Sequence, residues 1–226
     1  MTFLRLVPAA LLTAALLGAC GRPAAPKPLP AAEVAPFITG QLSGASSTSL
    51  ALIVGTRTLA STTVDAQGKF SLTLPTSDEV TSVKTSLSAV LLADLGCKGS
   101  LSLSDPSAQG YGFATLKAGN QKDYADAVVI KDEYTFNRSL KGRAYLYADK
   151  PTTLNGPLDC KAATGFPTTL QVNVNLSTGW NVLALSINGT YSFPSTISVS
   201  GSVNNGALAP GSVWSSLDAL KSQIAF

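Results

Sequence analysis

The chain has 226 residues, enough for one good-sized domain or two small ones, each able to bury a core. Its formal net charge is +3, with 13% of residues charged and 45% hydrophobic, which argues against a disordered tail protein and against a dedicated nucleic-acid binder. It has no histidine and one methionine, Met1, which removes His-activated nucleophiles, His-ligated zinc, copper or haem, and Met-rich copper sites.

The first twenty residues carry the most specific signal. Arg5 supplies a short positive region, and an apolar run from Leu6 to Leu17 follows, interrupted by Pro8 and Thr13. That run falls short of the ~20 residues that span a bilayer core. It ends in Leu17-Gly18-Ala19-Cys20, small residues that suit a peptidase groove, followed by a cysteine. This pattern resembles the lipobox of bacterial lipoproteins. The resemblance implies cleavage before Cys20, a diacylglycerol thioether on its sulfur and an acyl chain on the new amino group. A plain signal peptide, or a buried helix with a chance cysteine, is the alternative. Two or more acyl chains give stable membrane attachment, at about 0.8 kcal/mol per buried methylene. The next residue is Gly21, not Asp. In a two-membrane bacterium the resemblance then implies release to the outer membrane, and in a one-membrane host display on the outer face of the cell membrane.

Residues 20–36 read as a tether. Pro23, Pro26, Pro28, Pro30 and Pro36 disfavour helix and sheet and favour extended polyproline II. Residues 37–226 then read as one β-rich domain, with a boundary near 76–97 as the alternative. Leu50–Val54 predicts a strand, Gly55-Thr56-Arg57 a turn, Leu59–Val64 a second strand and Asp65–Gly68 another turn. Phe70, Leu72 and Leu74 alternate with polar residues, which places them on one face of a strand closed by Pro75. Ile38–Leu42 together with Thr63–Pro75 resembles carboxypeptidase regulatory-like and prealbumin-like β-sandwich modules, and the resemblance implies a non-catalytic sandwich.

Val80, Val83, Leu87, Val90, Leu91 and Leu95 follow helical spacing, with Ser77 as N-cap, Asp78 and Glu79 in the first turn and Gly96 as terminator. Strands follow at 100–104, 111–116, 127–130 and 143–147. Leu170–Leu176 shows unbroken apolar–polar alternation. Ser177-Thr178-Gly179 turns it into a strand at Trp180–Ile187, and Asn188-Gly189 signals a hairpin into Tyr191–Phe193. Ile197, Val199 and Val203 give one more strand, and a short amphipathic helix capped by Ser212 places Trp214, Leu217 and Leu220 or Lys221 on one face. The predicted class is mainly β: an antiparallel β-sandwich, or a partly open barrel, with one or two short helices.

Export would leave Cys97 and Cys160 in an oxidising compartment, where a structural disulfide is expected ahead of two buried thiols or a redox pair, since no C-x-x-C occurs. No S-x-x-K, G-x-S-x-G or phosphate-loop motif is present. Carboxylate chemistry would have to use Asp123, Asp126, Asp132, Glu133 and Asp159, which fall on turns and strand ends. Asp123 and Asp126, with Asp132 and Glu133 nearby, make a thin calcium candidate without an EF-hand frame. Tyr145, Tyr147 and Trp180 form a speculative surface for a ligand or partner. No cofactor, metal, catalytic residue or nucleic-acid partner is expected. The expected function is a non-enzymatic, membrane-anchored envelope lipoprotein that contacts other envelope proteins or surface polymers. A module for a glycan or small apolar ligand is the alternative, and a carboxylate-based hydrolase comes third.

Overall fold

A computed structural model describes residues 33–132, 134–192, 196–206 and 213–224. The leader, Cys20, most of the tether, Glu133, Phe193 and Ser212 lie outside the described residues. The fold is mainly β, as composition and alternation predict. Its strands join in one mixed sheet that does not close into a barrel.

The first layer is built from β2 (Phe37–Leu42), β3 (Ser49–Val54), β4 (Arg57–Thr63), β5 (Lys69–Thr73), β10 (Thr115–Ala118) and β17 (Val213–Ser216). The strand β1 (Glu33–Val34) precedes it. Between the layers come α1 (Ser77–Thr81), β6 (Thr85–Ser86), α2 (Leu87–Leu95), β7 (Lys98–Gly99), β8 (Ser102–Leu103) and β9 (Gln109–Phe113). The second layer follows as β12 (Arg138–Ala148), β13 (Thr152–Asp159), β14 (Thr168–Leu176), β15 (Gly179–Ser192) and β16 (Thr196–Asn205). Helix α3 (Lys161–Thr164) lies between β13 and β14, and α4 (Leu217–Ile224) ends the described chain.

Strand β11 (Asp123–Lys131) belongs to both layers. Its first half pairs with β10 and β17, and its second half, Ala127–Lys131, pairs with β12. The first layer runs β5–β2–β17–β11–β10–β3–β4, and the second runs β13–β14–β16–β15–β12. Most pairs are antiparallel, as expected. Two are parallel, β14 with β16 and β17 with β2. The first arises because β16 inserts between β14 and β15, so the short turn between those two strands has to step over a neighbour.

Where Ala144–Ala148 of β12 meets Trp180–Leu183 of β15, both faces are buried. Ala144, Leu146, Ala148, Leu183 and Leu185 face one core, shared with Leu154, Leu158 and the inward residues of β14. Tyr145, Tyr147, Trp180 and Val182 face a second core, shared with Leu50, Leu52, Phe70, Leu72 and Trp214. The unbroken alternation of Leu170–Leu176 is realised in full, with Leu170, Val172, Val174 and Leu176 all buried.

The structure departs from the expectations at four places. The predicted tether ends early, because Glu33 and Val34 pair with Val182 and Asn181. The single predicted helix is split. Its true cap is Thr76, whose N–H donates to the Glu79 carboxylate at 2.7 Å. Thr85 and Ser86 then leave helical geometry to pair with Gly110 and Gln109, a trade of helix bonds for sheet bonds held by the Lys84–Asp149 ion pair at 3.0 Å. Asn188-Gly189 makes no turn. Both residues sit inside β15, paired to Ser139 and Arg138 on one side and to Ser200 and Val199 on the other. Finally, Trp214 lies in β17 rather than on the last helix, and Ser216 takes the capping role by accepting from the Ala219 N–H at 3.3 Å.

The crossover turn is fixed by one side chain. Asn181 is fully buried. Its Oδ1 accepts from the Ser177 N–H at 2.9 Å, and its Nδ2 donates to the carbonyls of Ser177, Gly179 and Leu146 at 2.8, 2.8 and 3.2 Å. Unpaired buried polar groups cost about 1–3 kcal/mol each. Asn181→Ala strands several of them at once and should lower stability by about 3 kcal/mol in urea unfolding. Asn181→Asp should be at least as damaging, because a carboxylate cannot donate to three carbonyls.

Candidate functional site

The aromatic stripe is the first candidate to place. Tyr145, Tyr147 and Trp180 are only 5%, 7% and 6% exposed and lie between the layers, not on a ligand-facing surface. Phe113 stacks on Tyr145 with ring centroids 5.2 Å apart, and Tyr147 meets Trp180 edge-on at 5.6 Å. The Trp180 indole N–H donates to the Pro75 carbonyl at 2.7 Å, which ties β15 to the end of the first layer. The signal against a surface role was present in the sequence. Residues Ala144, Leu146 and Ala148 alternate with the tyrosines and are apolar too, and a strand apolar on both faces is buried on both.

Each candidate carboxylate among the described residues is held by a neighbouring group, and Glu133 lies outside them. Asp123 pairs with Lys117 at 3.0 Å. Asp132 accepts from the Tyr134 N–H and the Thr135 N–H and hydroxyl within its own turn. The Thr135 hydroxyl, followed by the two N–H groups, holds the Asp132 carboxyl below the usual carboxylate range. Asp159 accepts from the Lys161 N–H at 3.0 Å at the start of α3. Asp126 is buried and meets the Arg143 guanidinium at 2.8 Å. Burial pushes its carboxyl up, and the hydrogen bond and charge of Arg143 only partly offset this. Among the described residues, no group of three or more Cys, Asp or Glu side chains is placed to hold a metal ion.

Cys97 and Cys160 form the expected disulfide, with Cα atoms 4.2 Å apart and 63 residues between them in sequence. The bond fastens the end of α2 beside the short pairing of β7 with β13, where Gly99 faces Leu158 and Lys98 faces Asp159. It also sets the start of α3, since the Cys160 carbonyl accepts from the Thr164 N–H and hydroxyl, each at 3.1 Å.

One concave site lies where the first core runs out toward the surface. It is an apolar groove of about 540 Å³ whose floor is Leu140 of β12, Ile187 of β15, and Ile197 and Val199 of β16. Leu140 and Ile187 also pack against the buried core, so the groove continues it. Phe166, just after α3, and Ile224 of α4 form the rims, and Arg138 and Lys221 supply the charge. Sequence reading missed this site. Its floor residues come from three strands, and one of them lies beyond the Asn188-Gly189 pair that was read as a turn.

Chain-entropy reasoning gives the disulfide about 4 kcal/mol for a loop of this length. Reduction should therefore shift urea unfolding by about that amount. The unreduced, denatured protein should show no reactive thiol from Cys97 or Cys160.

For the ion pair, Asp126→Ala should cost about 1–3 kcal/mol by removing the counter-ion of the partly buried Arg143, while Asp126→Ala with Arg143→Met should recover most of that loss. The raised Asp126 carboxyl means that the native state holds this proton more tightly than the unfolded chain. Wild type should accordingly gain stability relative to the double variant as pH falls through the raised folded value, levelling off below the ordinary carboxylate value.

The chain matches no protein-family model, no curated protein and no solved structure.

Proposed function

We propose that this chain is a lipid-anchored protein of the bacterial cell envelope that acts without catalysis, as a structural or accessory interaction module. The observation that carries this reading is Leu17-Gly18-Ala19-Cys20 at the end of a short apolar leader. A disulfide-stapled β body suits the oxidising compartment to which such a leader delivers. The candidate carboxylates that the structure describes are each tied to a neighbouring cation, hydroxyl or N–H, which suits a scaffold better than an acid–base pair. The likeness of residues 38–75 to non-catalytic sandwich modules points the same way.

The described chain enters the domain at β1, on β15 beside Trp180. From Cys20 to Glu33 the backbone can reach at most about 45 Å. The domain would therefore stay within one protein diameter of the lipid, close enough to contact neighbours anchored in the same leaflet. With Gly21 after the cysteine, the outer membrane is the destination in a two-membrane host, and the outer face of the cell membrane in a one-membrane host.

A small apolar ligand is the second reading, favoured by the groove between β12, β15, β16 and α4. A glycan platform built on Tyr145, Tyr147 and Trp180 has no such support, because those rings are buried.

Intact-mass analysis of the protein from its native host tests the main reading. The expected species begins at Cys20 and carries a diacylglyceryl thioether. Cys20→Ala should move the protein from the membrane to the soluble fraction. An unmodified Cys20, or a chain that keeps residues 1–19, would defeat the proposal.

A further inference from the structure

The groove at the open end of the first core has three properties that together select a ligand. Its floor is hydrocarbon: Leu140, Ile187, Ile197 and Val199. Its volume, about 540 Å³, falls within the range of pockets that hold one small organic molecule. Its charged lining residues are both cations, Arg138 and Lys221, and no carboxylate is among the described residues that line it. An apolar slot with cations at its border is complementary to an amphiphile with one tail and an anionic head.

Other ligand classes fit less well. Strand β15 is already paired on both sides, with β12 and β16, so an extended peptide finds no backbone edge there to pair with. A neutral hydrocarbon makes no use of the two cations. A two-tailed lipid needs more volume than the groove's 540 Å³.

We infer that this groove binds a long-chain fatty acid, with the tail along Leu140, Ile187 and Val199 and the carboxylate held by Lys221 and Arg138. Burial of the tail supplies most of the affinity, at about 25 cal/mol per Å² of apolar surface removed from water. The charged head fixes orientation and excludes neutral lipids. The inference goes beyond the interaction-module reading and does not depend on an acyl group at Cys20.

Membranes of cells producing the full chain can be exposed to a photoactivatable palmitate, irradiated, and the adducts mapped by mass spectrometry. Adducts are expected on the peptides carrying Phe166 and Ile197–Val199, displaced by unlabelled palmitate and about tenfold less well by its methyl ester. Val199→Trp fills the slot and should reduce labelling about tenfold. Lys221→Glu changes only an exposed side chain, so the fold should survive it. It should weaken competition by unlabelled palmitate about tenfold through loss of a charge-assisted contact. The inference is overturned if adducts scatter along the chain or are absent, if neither variant changes them, or if the methyl ester competes as well as the acid. Groove labelling that appears only in Cys20→Ala, recovered from the soluble fraction and exposed to the same probe, would assign the slot to the chain's own acyl group and overturn it as well.

Discussion

The fold depends on two adjacent strands having no solvent-facing side at their centre. Along β12 and β15, successive residues alternate between two cores, and cross-strand pairs such as Tyr147 with Trp180 and Ala144 with Leu183 serve opposite faces of one wall. The first layer buries its apolar face against one side of this wall, and β13 and β14 bury theirs against the other. A slip of one residue would exchange the small alanines for the large aromatics on both sides at once. The register is thus specified twice over, once by each core, and that double constraint holds a long mixed sheet in one arrangement.

A wall buried on both faces leaves little tolerance for polar groups, and those present are matched closely. Asn181 uses both ends of its amide on the crossover turn, Trp180 donates to Pro75, and Asp126 carries Arg143 with it. Trp214 is an exception. Its indole is fully buried, and its N–H has no hydrogen-bond partner among the described residues. The ring lies against the backbone of Gly40, where a Cβ would stand 2.5 Å from Trp214 Cδ1. Close packing of the ring, with Phe70 edge-on at 5.6 Å and Tyr145 stacked at 6.2 Å, compensates through dispersion and aromatic contact for the bond not made.

The β class, the disulfide partners and most strands were legible because they rest on local information: alternation, turn residues and a cysteine count. Asp65–Gly68 shows why. The Asp65 carboxylate accepts from the N–H groups of Gln67 and Lys69, and Gly68 takes a φ of +80°, so the turn is encoded within five residues. What failed was whatever tertiary partners decide. The Asn188-Gly189 pair has turn chemistry, but strands on both sides hold it extended. The helical periodicity from Val80 to Leu95 is real, yet pairing of Thr85 and Ser86 with β9 interrupts it. The burial of the tyrosines was legible in the apolar residues that alternate with them, while which strands cover them was not. The groove is the extreme case, assembled from three strands and two helix ends far apart in sequence.

The placement of the disulfide connects stability to that groove. Cys160 sits immediately before α3, and its carbonyl fixes Thr164. The Thr164 hydroxyl in turn bonds the Phe166 carbonyl at 2.9 Å and shares a contact with the Thr168 hydroxyl at 2.7 Å. Thr164 and Phe166 form one rim of the groove, while the other is carried by α4, which packs through Leu217 and Leu220 on Ala125 and Ala127. One rim is therefore held covalently and the other by a few apolar contacts. Opening of the groove should involve α4 before α3, since the helix tied to the core by a covalent bond has the larger local unfolding free energy. Strand β1 meets β15 at Asn181–Val182, and the groove uses β15 at Ile187–Gly189. At about 3.4 Å per residue, roughly 20 Å of one strand separates them. The point where the described chain enters the domain and the groove thus share one strand, so the distance between them is set by the sheet rather than by a loop.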